Sequence, residues 1–194
     1  MNKSYIIYTL ALILLIAIFI SDESNVDSNF TKMHSESMFL GDEVTVRSTK
    51  NDSFSNQSLK DKITMVFFGY TSCPDFCPDT LARADKIFKT LGNSNELQLL
   101  FISIDPKDEL KTIKKYVEYF NKDFIGLSIK DNEIKELVKN TGIYAKKSSS
   151  TGSIDFYDHT GAIFLVNKNS KIMGLYTPPI KEELIISDLK RIVN

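Results

Sequence analysis

The sequence predicts an α/β domain built on a central mixed sheet flanked by helices, with an N-terminal hairpin extension. Three observations carry this expectation. A continuous apolar run at 63–69 (ITMVFFG) holds β-branched and aromatic residues, and a second segment, 97–104 (LQLLFISI), reads as another buried strand, as strands covered on both faces do. Each run is followed by a stretch with apolar residues at helical spacing. Later, the polar turn 168–170 separates two short strand-like segments, as in an antiparallel hairpin.

Taken in order, residues 43–47 alternate and hold two valines, so they read as a short strand. Residues 50–58 are turn-rich. Strand 63–69 leads to a helix over 78–91, with Leu81, Ala84, Phe88 and Leu91 on one stripe. Strand 97–104 ends at Asp105-Pro106. A helix over 108–120 places Leu110, Ile113, Val117 and Phe120 at helical spacing. A short strand at 124–129 and a helix over 131–140 follow, the helix ending near Gly142. Segments 154–157, 162–167 and 171–176 read as strands. A last helix over 179–193 turns Leu184, Ile185, Leu189 and Ile192 inward. The simplest assembly joins a right-handed βαβ unit to a ββα unit, which is the thioredoxin-like architecture. Sites in open α/β sheets lie beyond the carboxyl ends of the strands, which points to the loop after Gly69.

The chain has 194 residues, 42% hydrophobic and 25% charged, so it is globular and not disordered overall. Without the first forty or so residues, about 150 remain, enough for one domain with a real core. Lysine plus arginine number 24 against 25 acidic residues, a net charge of −1. A nucleic-acid binder would show a basic excess or stripe instead. With only two cysteines and two histidines, no disulfide framework stabilises the fold, and no site built from many soft or imidazole ligands is available.

The chain opens with an address. Lys3 precedes residues 5–20, a run of sixteen without charge, and Ser21, Asp22 and Glu23 follow. Such a pattern fits a signal peptide or a signal anchor. As a helix the run spans about 24 Å at 1.5 Å per residue. No small-residue triplet precedes Ser21, and no cysteine lies nearby for lipidation, so residues 1–21 are expected to stay as a single-pass anchor. The charge asymmetry puts the amino terminus in the cytoplasm and the domain outside. The location expected is the inner (cytoplasmic) membrane, with the domain facing the periplasm or the exterior. Residues 22–38 are expected to form a polar linker and 39–194 the folded domain.

Both cysteines fall in the loop after Gly69, which reads YTSCPDFCPDT with Cys73 and Cys77 four apart. Two buried apolar thiols would be the plainest reading, because cysteine behaves as a small hydrophobe. The prolines and aspartates around them describe an exposed loop instead. Pro78 suits the first turn of a helix, which sets Cys77 at the helix start, where the dipole and free amides favour thiolate. Two thiolates can form a redox-active disulfide, although the spacing is C-x-x-x-C and not the usual C-x-x-C. They can also converge on a metal, and their softness suits Cu(I). A structural zinc normally takes four protein ligands. A third ligand is available at His159, just before the strand at 162–167, with Asp158 placed to orient the ring. A plain turn histidine is the competing reading. His34 lies between Met33 and Met38 and reads as part of the linker.

At this point the residues resemble the Sco/SenC copper chaperones of cytochrome oxidase assembly. The resemblance covers roughly 39–193 and rests on three blocks, FFGYTSCPDFCP (67–78), FISIDP (101–106) and Asp158-His159-Thr160. It implies a thioredoxin-like fold and copper, as Cu(I) and also Cu(II), held by Cys73, Cys77 and His159. It implies an inner-membrane anchor and, as partner, the oxidase subunit that carries the binuclear copper centre. Other copper chaperones and thiol reductants are further partners. Ser72 departs from the pattern, since many members carry histidine there, but that position is not a ligand in the family.

Two functions compete. A metallochaperone, not an enzyme, would need His159. A thiol–disulfide reductase that keeps the cysteines of an oxidase subunit or another exported protein reduced would use the Cys73–Cys77 disulfide and not need His159. A peroxidase of the peroxiredoxin type would carry P-x-x-x-T-x-x-C, and neither cysteine fits: Pro74 stands three residues before Cys77, and Tyr70 three before Cys73.

Overall fold

The structure is a computed structural model that describes residues 30–33, 39–40, 44–50, 53–92, 94–129, 137–139, 141–152 and 154–193. The expected anchor, His34 and most of the expected helix 131–140 lie outside the described residues; 137–139 are helical. The Gly142 amide donates to the Val138 carbonyl with Gly142 at φ +67°, the helix-ending geometry expected there.

The elements are β1 (Phe30–Lys32), β2 (Arg47–Ser48), β3 (Ile63–Gly69), α1 (Phe76–Thr90), β4 (Leu97–Ser103), α2 (Leu110–Phe120) and β5 (Ile125–Ser128). They continue with β6 (Ala145–Thr151), β7 (Ile154–His159), β8 (Ile163–Val166), β9 (Ile172–Tyr176) and α3 (Glu182–Val193). The main sheet has seven strands in the order β1-β9-β8-β3-β4-β5-β2. Strands β3, β4 and β5 run parallel, while β8, β9, β1 and β2 pair antiparallel to their neighbours. The result is the thioredoxin-like α/β fold that the element order predicts.

Burial on both faces explains why β3 and β4 are mostly apolar; their buried polar residues Thr64, Gln98 and Ser103 are hydrogen-bonded. Met65 and Phe67 face a core closed by Leu81 of α1, Val117 of α2 and Leu189 of α3. Val66 and Phe68 face a second core, covered by Phe39, Leu40, Leu59 and Leu137. Helices α1, α2 and α3 therefore share one face, and loops with the helical residues 137–139 cover the other. Glu182 at the start of α3 pairs with Arg83 at 3.1 Å and with Lys86, tying α3 to α1.

The amino-terminal part is woven into the sheet at both edges. Val46 and Phe54 exchange backbone hydrogen bonds at 2.9 and 2.8 Å in a hairpin-like closure. Directly after it β2 pairs with β5, while β1 adds to the opposite edge beside β9. The stretch 22–38, expected as linker, thus contributes a strand. Three residues carry too little pattern to announce one, and the pairing is set by the partner. Gly174 makes room for it: a Cβ there would lie 2.4 Å from the Thr31 carbonyl oxygen. A second strand without a sequence signal is β6. Its AKKSSST is almost wholly exposed, and it pairs only with β7, in a separate two-stranded sheet.

Gly174→Val is expected to destabilise the protein by about 1–3 kcal/mol, the usual range for overpacking, with faster amide hydrogen exchange along β1. Chemical denaturation and exchange measurements check this. Unchanged stability and unchanged protection at Thr31 would show that β1 does not need the cleared space.

Candidate metal centre

Strand β3 delivers the cysteine loop. Its last residue, Gly69, is the only residue type that fits, since a Cβ would stand 2.9 Å from Cys77 Sγ and 2.8 Å from the Phe101 ring. Cys77 is the second residue of α1 and is fully buried; Cys73 is half-buried, and both are free thiols. The helix begins at Phe76, two residues before the expected start, so Pro78 still lies in the first turn.

The loop is fastened by Asp108, just before α2. Its carboxylate accepts from the Thr71 amide at 2.8 Å, from the Thr71 hydroxyl and from the Ser103 hydroxyl at 2.6 Å. These bonds fix the approach of the chain to Cys73. Sequence reasoning missed Asp108 and Thr71. The only signal was the FISIDP block close by, which says nothing of which side chain turns back to the loop.

His159 comes from the other side, at the end of β7. Its Nε2 lies 3.7 Å from Cys77 Sγ, and its Nδ1 lies 3.2 Å from the Thr160 carbonyl oxygen. A proton on Nδ1 satisfies that carbonyl and leaves the Nε2 lone pair facing the thiols. Asp158, expected to orient the ring, is exposed at the rim of the cleft. The backbone of Thr160 takes that role, because neighbouring residues on a strand point to opposite faces. The rings of Tyr70, Phe67 and Phe76 surround the imidazole with centroids 6.0, 6.1 and 6.4 Å away. Gly161 admits Phe76, whose ring a Cβ would meet at 2.7 Å. Cys73 and His159 line a cleft of about 440 Å³ that also touches Tyr157 and Pro178, with Cys77 buried behind them.

The thiols are electrostatically unlike. Cys77 sits against the Cys73 sulfur, and its backbone amide lies 3.4 Å from that sulfur. The hydrogen bond from the Cys77 thiol is the main cause that holds Cys73 well below the usual thiol range, with His159 and backbone amides assisting and burial opposing. The same hydrogen bond, then burial and the Cys73 charge, push Cys77 upward. The expectation that the helix start makes Cys77 the thiolate is therefore corrected. The helix-start amide reaches the Cys73 sulfur, and the charge settles there.

Cys73, Cys77 and His159 place their donor atoms within 4.8 Å of one another. Metal–ligand bonds of about 2.0–2.3 Å put the donors of a flat three-coordinate site about 3.7 Å apart. The Cys77–His159 separation already meets that distance. Two sulfurs and one imidazole are soft enough for Cu(I), and three donors leave one short of a closed zinc tetrahedron.

Comparison with known proteins gives concordant results. The SCO1/SenC family model matches residues 31–194. An SCO2-like protein of Rickettsia conorii is 28% identical over 146 residues, 73% of this chain and 71% of that protein. A structure of Bradyrhizobium japonicum ScoI with copper bound is 31% identical with a TM-score of 0.70, covering 76% of this chain and 96% of that one. Yeast Sco1 with copper bound, at 24% identity, TM-score 0.70 and coverage of 79% and 88%, shares the fold.

Alkylation should read the unequal thiols directly. An ordinary thiol loses reactivity about tenfold per pH unit below its pKa of about 8.5. With the Cys73 pKa lowered, its reaction with iodoacetamide is expected to stay flat from alkaline pH down through neutral and to fall only in acid. Cys73→Ser should abolish this fast phase and Cys77→Ser should leave a fast-reacting thiol. Mass-mapped alkylation that places the fast phase on Cys77 would contradict the assignment.

Proposed function

The chain belongs to the SCO1/SenC family, and from that premise we propose that it is a membrane-anchored copper metallochaperone that serves the binuclear copper centre of cytochrome c oxidase. The observation that carries the reading is the convergence of Cys73, Cys77 and His159, two of them on one loop and the third 82 residues away. The copper-bound Bradyrhizobium japonicum relative at 31% identity supports the same metal. The apolar run at 5–20 with its flanking charges supports an anchor in the inner membrane with the domain outside.

Delivery requires a site that holds its ion without closing over it. Cys77 is buried, Cys73 is half-buried and His159 stands at an open cleft. An incoming donor from the recipient can therefore add beside Cys73 before any protein ligand leaves. Cys73, carrying the thiolate, attracts the cation and supplies the first strong bond. Cys77 must lose its proton on loading, so copper uptake weakens as pH falls.

One observation favours a second reading, a thiol–disulfide reductase. A half-exposed thiolate beside a buried neutral thiol is the arrangement of an attacking and a resolving cysteine. Cys73 would attack a disulfide of an exported protein, and Cys77 would then release that protein as a dithiol. The two electrons delivered leave a Cys73–Cys77 disulfide, which an external thiol reductant must reopen.

Copper titration of the purified exported domain separates the two. The chaperone reading expects one Cu(I) per chain, loss of binding in Cys73→Ser and Cys77→Ser, and a large loss of affinity in His159→Ala. The reductase reading expects His159→Ala to retain disulfide reduction, with no copper bound in any redox state.

A further inference from the structure

The histidine hairpin is held to the body by a short list of contacts, chiefly from one face of β7, with Ala145 of β6 also packed against the core. Asp155, Tyr157 and His159 alternate along the strand and turn inward, while Ile154 and Asp158 are exposed. Tyr157 donates its hydroxyl to Asp105 at 3.0 Å and stacks edge-on against Tyr70. The Asp155 carboxylate, only 4% exposed, takes Lys107 on one oxygen at 2.7 Å, and Lys147 and Ser150 on the other at 2.8 Å each.

These partners differ in kind. Lys147 and Ser150 belong to β6, inside the hairpin. Lys107 belongs to the loop between β4 and α2, the same loop whose Asp108 holds Thr71 beside the cysteines. Its backbone amide donates to Asp105 at 2.9 Å, which locks the loop's own shape. Residues 105–108 thus grip both halves of the donor set: Asp108 holds the cysteine loop, and Asp105 with Lys107 holds the hairpin that carries His159.

Resting on the copper reading above, we propose that Lys107 is a positioning residue for metal capture, which through Asp155 holds the β6–β7 hairpin so that His159 faces Cys73 and Cys77. Among the described residues Lys107–Asp155 is the ion pair that joins hairpin to body, beside the hydrogen bond from Tyr157 to the Asp105 carboxylate. Such a pair contributes little stability by itself, because Lys107 remains largely exposed; its effect is positional, since the Asp155 carboxylate is shut in by the groups that bind it. Release of the latch leaves Asp155 paired with Lys147, so the hairpin stays folded and only its attachment loosens. The site then passes from three donors to two.

Lys107→Met, Lys107→Arg, His159→Ala and the double variant Lys107→Met/His159→Ala test this in the exported domain, with Cu(I) measured by competition against a chromophoric chelator. Partners behind metal ligands typically change affinity by about 10- to 100-fold, and a loss in that range is expected for Lys107→Met, with recovery in Lys107→Arg. In the His159→Ala background Lys107→Met should change nothing further. Copper binding unchanged by Lys107→Met, or an equal loss with and without His159, would overturn the proposal. The metal-free protein gives a readout that does not depend on copper. Lys107→Met should speed amide exchange in β6 and β7 at an unchanged melting temperature, and unchanged exchange there overturns the latch. If the wild-type chain bound no copper while this exchange effect held, the copper reading would fall and the latch would stand.

Discussion

A single sulfur sets the geometry of this protein's site. Cys77 is enclosed where β3 ends and α1 begins, against Gly69 and Phe101. No side chain larger than hydrogen at position 69 leaves room for it. A thiol in that position is neutral, because burial opposes its charge, and it turns its proton to Cys73. The neighbouring thiol then carries the charge at the rim, where an ion or a disulfide can reach it. The inequality of the two cysteines follows from where the helix starts relative to the strand, and both functions considered above draw on it.

The fold was legible where burial is complete. Strand β3 coincides with its apolar run, and β4 with all but the last residue of its own segment, because each is covered on both faces and admits a polar residue only where it is hydrogen-bonded, as Thr64, Gln98 and Ser103 are. The helical stripes of α1, α2 and α3 were legible for the same reason, one face each, except that Ile186 and not Leu184 packs on the core in α3, and Leu110 at the start of α2 lies outside it. Strand β6 was not. Beyond Ala145 it is exposed along its length, so no buried face imposes a period, and its strand identity comes from pairing with β7. Strand β1 shows the same limit at three residues, where Gly174 opposite is the more telling residue.

The candidate site was legible in part. The spacing of Cys73 and Cys77 and the proline after them announce a loop at a helix start. Nothing in the spacing of His159 announces its meeting with them; the family resemblance supplied it, and the structure brings the ring to 3.7 Å. The supporting groups were hidden for a definite reason. Asp108, Thr160 and Lys107 act through backbone turns and contacts across loops, and neither leaves a periodic trace. Asp158 looked like the ring's partner because it is adjacent in sequence, but successive side chains on a strand diverge, and Asp158 turns to solvent at the rim of the cleft.

The two halves of the donor set differ in how firmly they are held, and this bears on exchange. Cys73 and Cys77 ride on a loop bonded to Asp108 and on a helix packed into the main core. His159 rides on a two-stranded sheet that the main sheet does not include, and isolated hairpins are marginal in water. An ion bound by all three would tie the hairpin to the body and stabilise it by the binding energy gained through the imidazole. The converse also holds, since coupling is reciprocal: whatever loosens the hairpin weakens the ion's hold by the same free energy. A carrier needs such a term. Affinity concentrated wholly in the rigid cysteines would leave the recipient nothing to exploit, whereas a ligand on a weakly attached element can be displaced without disturbing the core that built the rest of the site.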